Sequence, residues 1–216
     1  MINNSKAVHL SDNKKREILQ NAKTIVMVGL SPNIDKASYH VASFLLEKGY
    51  NIIPIYPKGG EILGKKAYTS LKEAFKDMCA NNMQCDIIDI FRKSEALPSI
   101  VNEICMLGKL DSKQNLTNQS ILNITDTLPS QNSPVNHKEI EKKLGFITST
   151  PNPTQPNKST EAAEILRPFN INNLCVWVQL GLHNSEAALI AKHHNLLYEE
   201  DSCIKLEYLR IFDKQC

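Results

Sequence analysis

Short apolar runs recur along the chain. Each ends in a polar or glycine-bearing turn and is followed by a stretch whose apolar positions lie three or four residues apart. TIVMV (24–28) is short, apolar and partly β-branched, and it stops at Gly29, which predicts a buried strand. From Ser38 the pairs Val41/Leu45 and Ala42/Leu46 predict a helix, with Gly49 as its stop. NIIPIY (51–56) predicts a second strand, and Pro54, which lacks an amide donor, puts that strand at an edge or in an irregular position. DIIDIF (86–91), LCVWVQL (174–180) and LLYEE near 197 read as three more strands. Helices are predicted from Ser11 through about Asn21, over LKEAFKDM behind the capping-box pair Ser70 and Glu73, from Ser94 to about Gly108 with Pro98 in its first turn, and from Asn184 to His194. Gly59, Gly60 and Gly64 mark a loop. This alternation predicts an α/β fold: a doubly wound, mainly parallel sheet with helices on both faces and ligands at the carboxyl ends of the strands.

One region breaks the rhythm. From about 109 to 159 the chain becomes rich in Asn, Ser, Thr and Pro and poor in core residues, which predicts a mostly disordered insertion into a single domain spanning 1–216. KEIEKKLGF (138–146) has the pattern of a turn or two of helix, and EAAEILR (161–167) that of a helix restoring the interrupted crossover. Following a helix and preceding a strand, the insertion should emerge at the amino-terminal edge of the sheet, where it is a loop or a site for a protein partner rather than a lid.

Composition narrows the classes. A hydrophobic share of 42% suits a buried core, and 25 basic against 23 acidic residues give no electrostatic case for nucleic acid or an anionic membrane. No apolar segment has the length of a signal peptide or a membrane span, so the expected address is cytoplasmic. Six scattered cysteines without a CxxC pair point to free, mostly buried thiols. Three sequons in the polar region (Asn115, Asn118 and Asn123) read as chance matches.

The strand ends carry the candidate chemistry. After the first come Gly29, Ser31 and Ser38, where close backbone approach, hydroxyls and the start of a helix suit a phosphate, or else form an ordinary turn capped by Ser38. After the second, where an NAD-binding unit presents an acidic residue to the ribose, this chain has YPKGG with Pro57 and Lys58. A cation there favours a phosphorylated ribose, as in NADP or coenzyme A. The third strand ends in Phe91, Arg92 and Lys93, a wall plus further positive charge. The fourth ends in WVQLGL, where Gln179 both donates and accepts and Gly181 permits close approach; Trp177 faces either the cleft or the core.

Together KTIVMVGLSPNIDKASYH, NIIPIYPKGG, CDIIDIFRKSEALP, LCVWVQLGL and DSCIKLEYLR resemble the small bacterial CoA-binding proteins of the YccU-like type, related to the CoA-binding half of the succinyl-CoA synthetase α subunit. The resemblance implies a Rossmann-like domain that holds coenzyme A or an acyl-CoA. It assigns Gly29, Ser31 and Ser38 to the diphosphate, Pro57 and Lys58 to the 3′-phosphoadenosine, Phe91 and Arg92 to the adjoining wall, and Gln179 and Gly181 to the pantetheine. It does not imply ligase activity, since the domain bearing the synthetases' phosphorylated histidine is missing. No catalytic constellation assembles: Cys203 near Lys205 and Glu207 reads as structural, and His183, His193 and His194 do not converge on a metal. The expected function is a non-catalytic CoA carrier or sensor. The alternatives are an NADP-dependent oxidoreductase and a protein-interaction module regulated by CoA.

Overall fold

A computed structural model describes residues 7–109 and 173–213. All of them belong to one unit, Met1–Gln114 with Leu166–Cys216. The expected insertion, its two helical segments, the sequons and Cys216 lie outside the described residues.

Five strands, β1 (Thr24–Val28), β2 (Asn51–Ile55), β5 (Ile87–Ile90), β6 (Cys175–Val178) and β7 (Leu197–Glu199), form a sheet in the order β2-β1-β5-β6-β7. Every neighbouring pair is parallel. The two remaining strands, β3 (Gly60–Ile62) and β4 (Lys65–Ala67), make an antiparallel hairpin. The helices are α1 (Asp12–Asn21), α2 (Ala37–Glu47), α3 (Leu71–Ala80), α4 (Leu97–Lys109, entered through a 3-10 turn), α5 (Ser185–His193) and α6 (Ile204–Phe212).

Period-two alternation along the strands sorts the core into two layers. Val26, Val28, Ile88, Ile90, Val176 and Val178 meet the apolar stripes of α3, α4 and α5. Ile25, Met27, Ile87, Cys175 and Trp177 meet α1, α2 and α6. The sheet is thus apolar on both faces, as a parallel sheet under crossover helices must be.

Expected helix starts hold at the level of atoms. Ser11 Oγ accepts the Lys14 amide, Ser70 Oγ accepts the Glu73 amide, and Asn184 Oδ1 accepts the amides of Glu186 and Ala187. Glu73 reaches back one residue further than a capping box requires, to the amide and hydroxyl of Thr69. β2 is an edge strand, as Pro54 foretold. The Pro54 carbonyl accepts the Tyr68 amide outside the sheet, and because N–H and C=O of one residue point the same way in a parallel strand, the missing donor faces outward too.

Two elements were not anticipated. The hairpin β3–β4 occupies the expected glycine loop, closed by Leu63 and Gly64 at φ 53° and 72°. Two positive φ values are what a tight hairpin turn demands, and leucine is an uncommon residue to supply one, so the signal was hidden. Helix α6 follows Cys203, burying Ile204 and Ile211.

The amino-terminal segment is locked to the sheet by buried charge. Glu199 Oε1, fully buried, lies 2.7 Å from Lys15 Nζ and 3.0 Å from His9 Nδ1, while its Oε2 accepts the Leu10 amide. Lys15 also reaches Glu207 at 3.0 Å. Burial disfavours the Lys15 ammonium, but its two carboxylate partners outweigh that and hold its pKa above the ordinary lysine value. Lys15→Ala should therefore cost about 3 kcal/mol in urea unfolding at pH 7, by leaving a buried carboxylate without its ion pair. Lys14→Ala, which removes only the exposed pair with Glu17, should change little.

Candidate functional site

The winding of the sheet reverses between β1 and β5. From β1 the chain crosses by α2 on one face to β2, whereas β5 leads by α4 and α5 on the opposite face to β6 and β7. The loops leaving β1 and β5 therefore diverge, and a crevice opens at their carboxyl ends.

Gly29 sits at its floor. Its amide bonds to the Ile55 carbonyl at 3.0 Å, tying β1 to the end of β2. Its φ is +91°, and a Cβ there would fall 2.6 Å from the Phe91 carbonyl oxygen and 3.0 Å from Arg92 Cδ. Only glycine lets the ends of β1 and β5 approach this closely.

Above it lies a cleft of about 260 Å³ whose lining includes Gly29, Pro57, Thr69, Ser70, Arg92 and Ser99. Arg92 also borders an adjoining hollow of about 470 Å³ with Phe91, Lys93 and Glu95. The structure thus brings Gly29, Pro57, Phe91 and Arg92 together. Pro57 and Lys58 are the central residues of a turn closed by the Gly59 amide on the Tyr56 carbonyl at 2.9 Å, which leaves Lys58 exposed beside the cleft. Neither Lys58 nor Arg92 has an ion-pair partner among the described residues. The hydroxyls of Thr69, Ser70 and Ser99 were missed by sequence reasoning; Ser70 was legible only as a helix cap.

The loop after Gly29 is internally braced. Ser38 Oγ accepts the Ser31 amide at 3.1 Å, Ser31 Oγ accepts the Asn33 amide at 3.1 Å, and Asn33 Oδ1 accepts the Asp35 amide at 2.9 Å. Ser38 is buried inside the first turn of α2 and does not cap it; the N-cap is Lys36, whose side chain makes no capping bond. The sequence-based alternative of a Ser38 cap is thereby corrected, because the helix starts at Ala37, two residues before a Ser38 cap would start it. The amides of Ala37 and Ser38 have no partner among the described residues. A dipole end without a side-chain cap, a glycine floor that a Cβ would fill, and two cations without an ion-pair partner among the described residues fit a phosphorylated ligand.

The end of β6 differs from the reading of an open polar contact. Gln179 is buried, and its Nε2 donates to Asp89 Oδ1 at 2.7 Å. Asp89, fully buried in β5, has its other oxygen, Oδ2, without a hydrogen-bond partner among the described residues. Burial pushes its carboxyl up to about 7, against the opposing pull of the Gln179 amide and the Ile90 backbone. The legible signal was a single acid inside the apolar run DIIDIF. Gly181, at φ +80°, donates its amide to Asp201 Oδ1 at 2.6 Å and has open space where a Cβ would stand. Trp177 belongs to the core, its Nε1 donating to the Ser202 carbonyl at 2.8 Å.

Cys203 is half-buried at the start of α6, and Glu207 is engaged by Lys15 and Arg210 rather than by the thiol. His193 and His194 meet edge to face at 5.1 Å. Among the described residues no three His, Cys, Asp or Glu side chains are grouped to hold a metal, and no helix is long and apolar enough to cross a membrane. A cavity of about 540 Å³, larger than the cleft, lies away from the strand-end crevice, in an apolar groove between Val8, α5 and β7, where few polar groups converge.

Residues 23–120, which include the first three parallel strands and the crevice floor, match the family described as CoA binding domain. An uncharacterized protein, YneT of Bacillus subtilis strain 168, is 42% identical over 88 residues, covering 41% of this chain and 60% of that protein. The alignment thus spans less than two thirds of that relative. A Thermus thermophilus protein of solved structure (cell-free ID.343) superposes with a TM-score of 0.55 at 20% identity, over 94% of this chain and all of the other. A hypothetical protein from Pyrococcus horikoshii OT3 does so with a TM-score of 0.54 at 21% identity, over 97% and 99%. At such identities these structures establish the Rossmann-like α/β fold. The CoA binding domain match ends before β6, so Gln179 and Gly181 fall outside it.

Gly29→Ala should destabilise the domain by about 3 kcal/mol, through a positive φ combined with overlap on a backbone carbonyl. Gly181→Ala, strained in φ but sterically free, should lose about 1 kcal/mol; chemical denaturation of both separates close approach from conformation. Asp89 supplies a pH test. With its folded pKa raised above the unfolded value near 4, the folded state binds the extra proton between about pH 4 and 7, so stability falls as pH rises through that window. Asp89→Asn should remove this component and flatten the decline between pH 5 and 8 in thermal melts.

Proposed function

We propose that the protein binds coenzyme A or an acyl-CoA at this crevice and acts as a carrier or sensor rather than as an enzyme. The observation that carries this reading is a coincidence of place: the segment matching the CoA binding domain supplies the glycine floor, the start of α2 without a side-chain cap, and Arg92 and Lys58, all at the point where the sheet reverses its winding.

CoA offers two separate anionic groups, a diphosphate and a 3′-phosphate, and the crevice has two distinct places to receive them. The Gly29–Ser38 loop and the amides of Ala37 and Ser38 suit the diphosphate, with the Ser38 hydroxyl still able to donate. Lys58, on its turn beside Pro57, suits the 3′-phosphate of the ribose. Phe91 and Arg92 form the adjoining wall. Gln179 and Gly181, from the second half of the chain, then lie toward the pantetheine, so a single domain is assembled from both sides of the 109–159 region. Regulation of a protein partner through that region is the further possibility raised by the sequence, and it lies outside the described residues.

Calorimetric titration with CoA, dephospho-CoA and NADP tests this. CoA should bind, and Lys58→Glu should weaken CoA at least tenfold more than dephospho-CoA, because a charge-assisted contact is replaced by repulsion only where the 3′-phosphate is present. Equal weakening of both ligands would contradict the Lys58 assignment. Absence of heat with CoA together with saturable binding of NADP would replace the CoA reading by the oxidoreductase alternative.

A further inference from the structure

The bond between Asp89 and Gln179 has a direction. A side-chain amide presents a donor at one end and an acceptor at the other, and here the donor, Nε2, points at the buried carboxyl. Oε1 is left as the end that no described residue engages. An ionised carboxylate only accepts, so it enforces this orientation. Once protonated, the same carboxyl can donate, and the amide can turn over to offer Oε1 to Asp89 and Nε2 to whatever lies beyond.

Asp89 is suited to such a change. Its Oδ2 is sealed from solvent with no partner among the described residues, so neither protonation state is fully satisfied and neither is strongly locked. Its surroundings on this face are mostly apolar. Met27 of β1 and Trp177 of β6 flank it in register, and α2 packs on the same layer through Val41, Ala42 and Leu45. The titratable groups on that layer are Cys175 of β6, Glu199 of β7, Lys15 of α1, Cys203 at the start of α6 and the phenols of Tyr39, Tyr50, Tyr56 and Tyr208, with Glu207 of α6 beside Lys15. Lys15, the cation among them, already pairs with both glutamates. No basic side chain is hydrogen-bonded or ion-paired to Asp89 among the described residues.

Resting on the CoA reading of the crevice, we propose that Asp89 is a positioning residue for the ligand: ionised, it holds Gln179 with Oε1 outward as an acceptor for an amide N–H of the pantetheine arm, and protonation releases that orientation. Ligand binding and deprotonation of Asp89 are then linked. Binding draws a proton off the protein, and affinity falls as pH falls through the Asp89 titration, which burial places at about 7.

The test is calorimetric titration of wild type and Asp89→Asn with CoA from pH 5.5 to 8.5, in two buffers of different ionisation enthalpy. Wild type should lose about tenfold in affinity towards the acid end and release a proton fraction that peaks near pH 7. Asp89→Asn should show neither effect beyond the titration of CoA's own phosphate, which both proteins share. A second measurement on wild-type protein guards against misfolding of the variant: the side-chain NH₂ resonances of Gln179, assigned by their loss in Gln179→Glu, should shift with a midpoint near pH 7. Identical pH profiles for wild type and Asp89→Asn, or Gln179 resonances that do not titrate, overturn the inference while leaving CoA binding intact. A wild-type protein that binds no CoA at any pH overturns the reading of the crevice and this inference with it.

Discussion

The floor of the crevice is set where two pieces of backbone meet: Gly29 lies against the carbonyl of Phe91, with no room for a Cβ between them. β1 and β5 are neighbours in the sheet, yet the chain leaves them toward opposite faces. Their ends must come together for the ladder to be completed, and their loops must part for a ligand to enter. A glycine at positive φ meets both demands. It turns the chain sharply after Val28 and presents only hydrogen to the neighbouring strand. The cleft lined by Pro57, Ser70 and Arg92 exists because that floor is flat.

Charge inside the domain is handled in two contrasting ways. Glu199 is buried with a lysine, a histidine and a backbone amide around it, and the arrangement fastens the amino-terminal segment to the sheet. Asp89 is buried with one amide side chain and one orphaned oxygen. Desolvation works against the charged form in both places; in the first a cation offsets it, and in the second the proton does. The difference in partners separates a structural fastening from a group able to change state near neutral pH.

The candidate site draws on both halves of the chain. The segment matching the CoA binding domain contains the floor, the bracing serines and the cations, while Gln179 and Gly181, proposed for the pantetheine, stand at the end of β6 beyond it. Bonds across the carboxyl edge hold the halves in register: Ser94 Oγ accepts the His183 amide and the Ser94 carbonyl accepts the Asn184 side-chain amide. The pantetheine assignment is proposed on this geometry and the diphosphate assignment on the Gly29 loop.

Periodicity made most of the architecture legible. Runs such as IVMV in β1 and CVWV in β6 are apolar at every step because both faces of a parallel sheet are covered, and the intervening helices announced themselves by their caps. Pro54 pointed to an edge or an irregular position, where a missing donor is tolerable, and the strand order makes it the edge. The hairpin at 60–67 escaped because its turn uses leucine where asparagine would have signalled it, and the sequence leaves Ser38 open between a phosphate contact and a cap because a lone serine before an apolar stripe looks the same whether its hydroxyl bonds its own helix or the loop behind it. Local pattern, then, settled which segments are strands and helices, because burial imposes its period on neighbouring residues. Which strand ends meet, that Gly29 touches Phe91 across 62 positions, and that Gln179 spends its amide on Asp89 rather than on solvent were decided only by tertiary structure, since pairing between distant segments leaves no periodic trace in either of them.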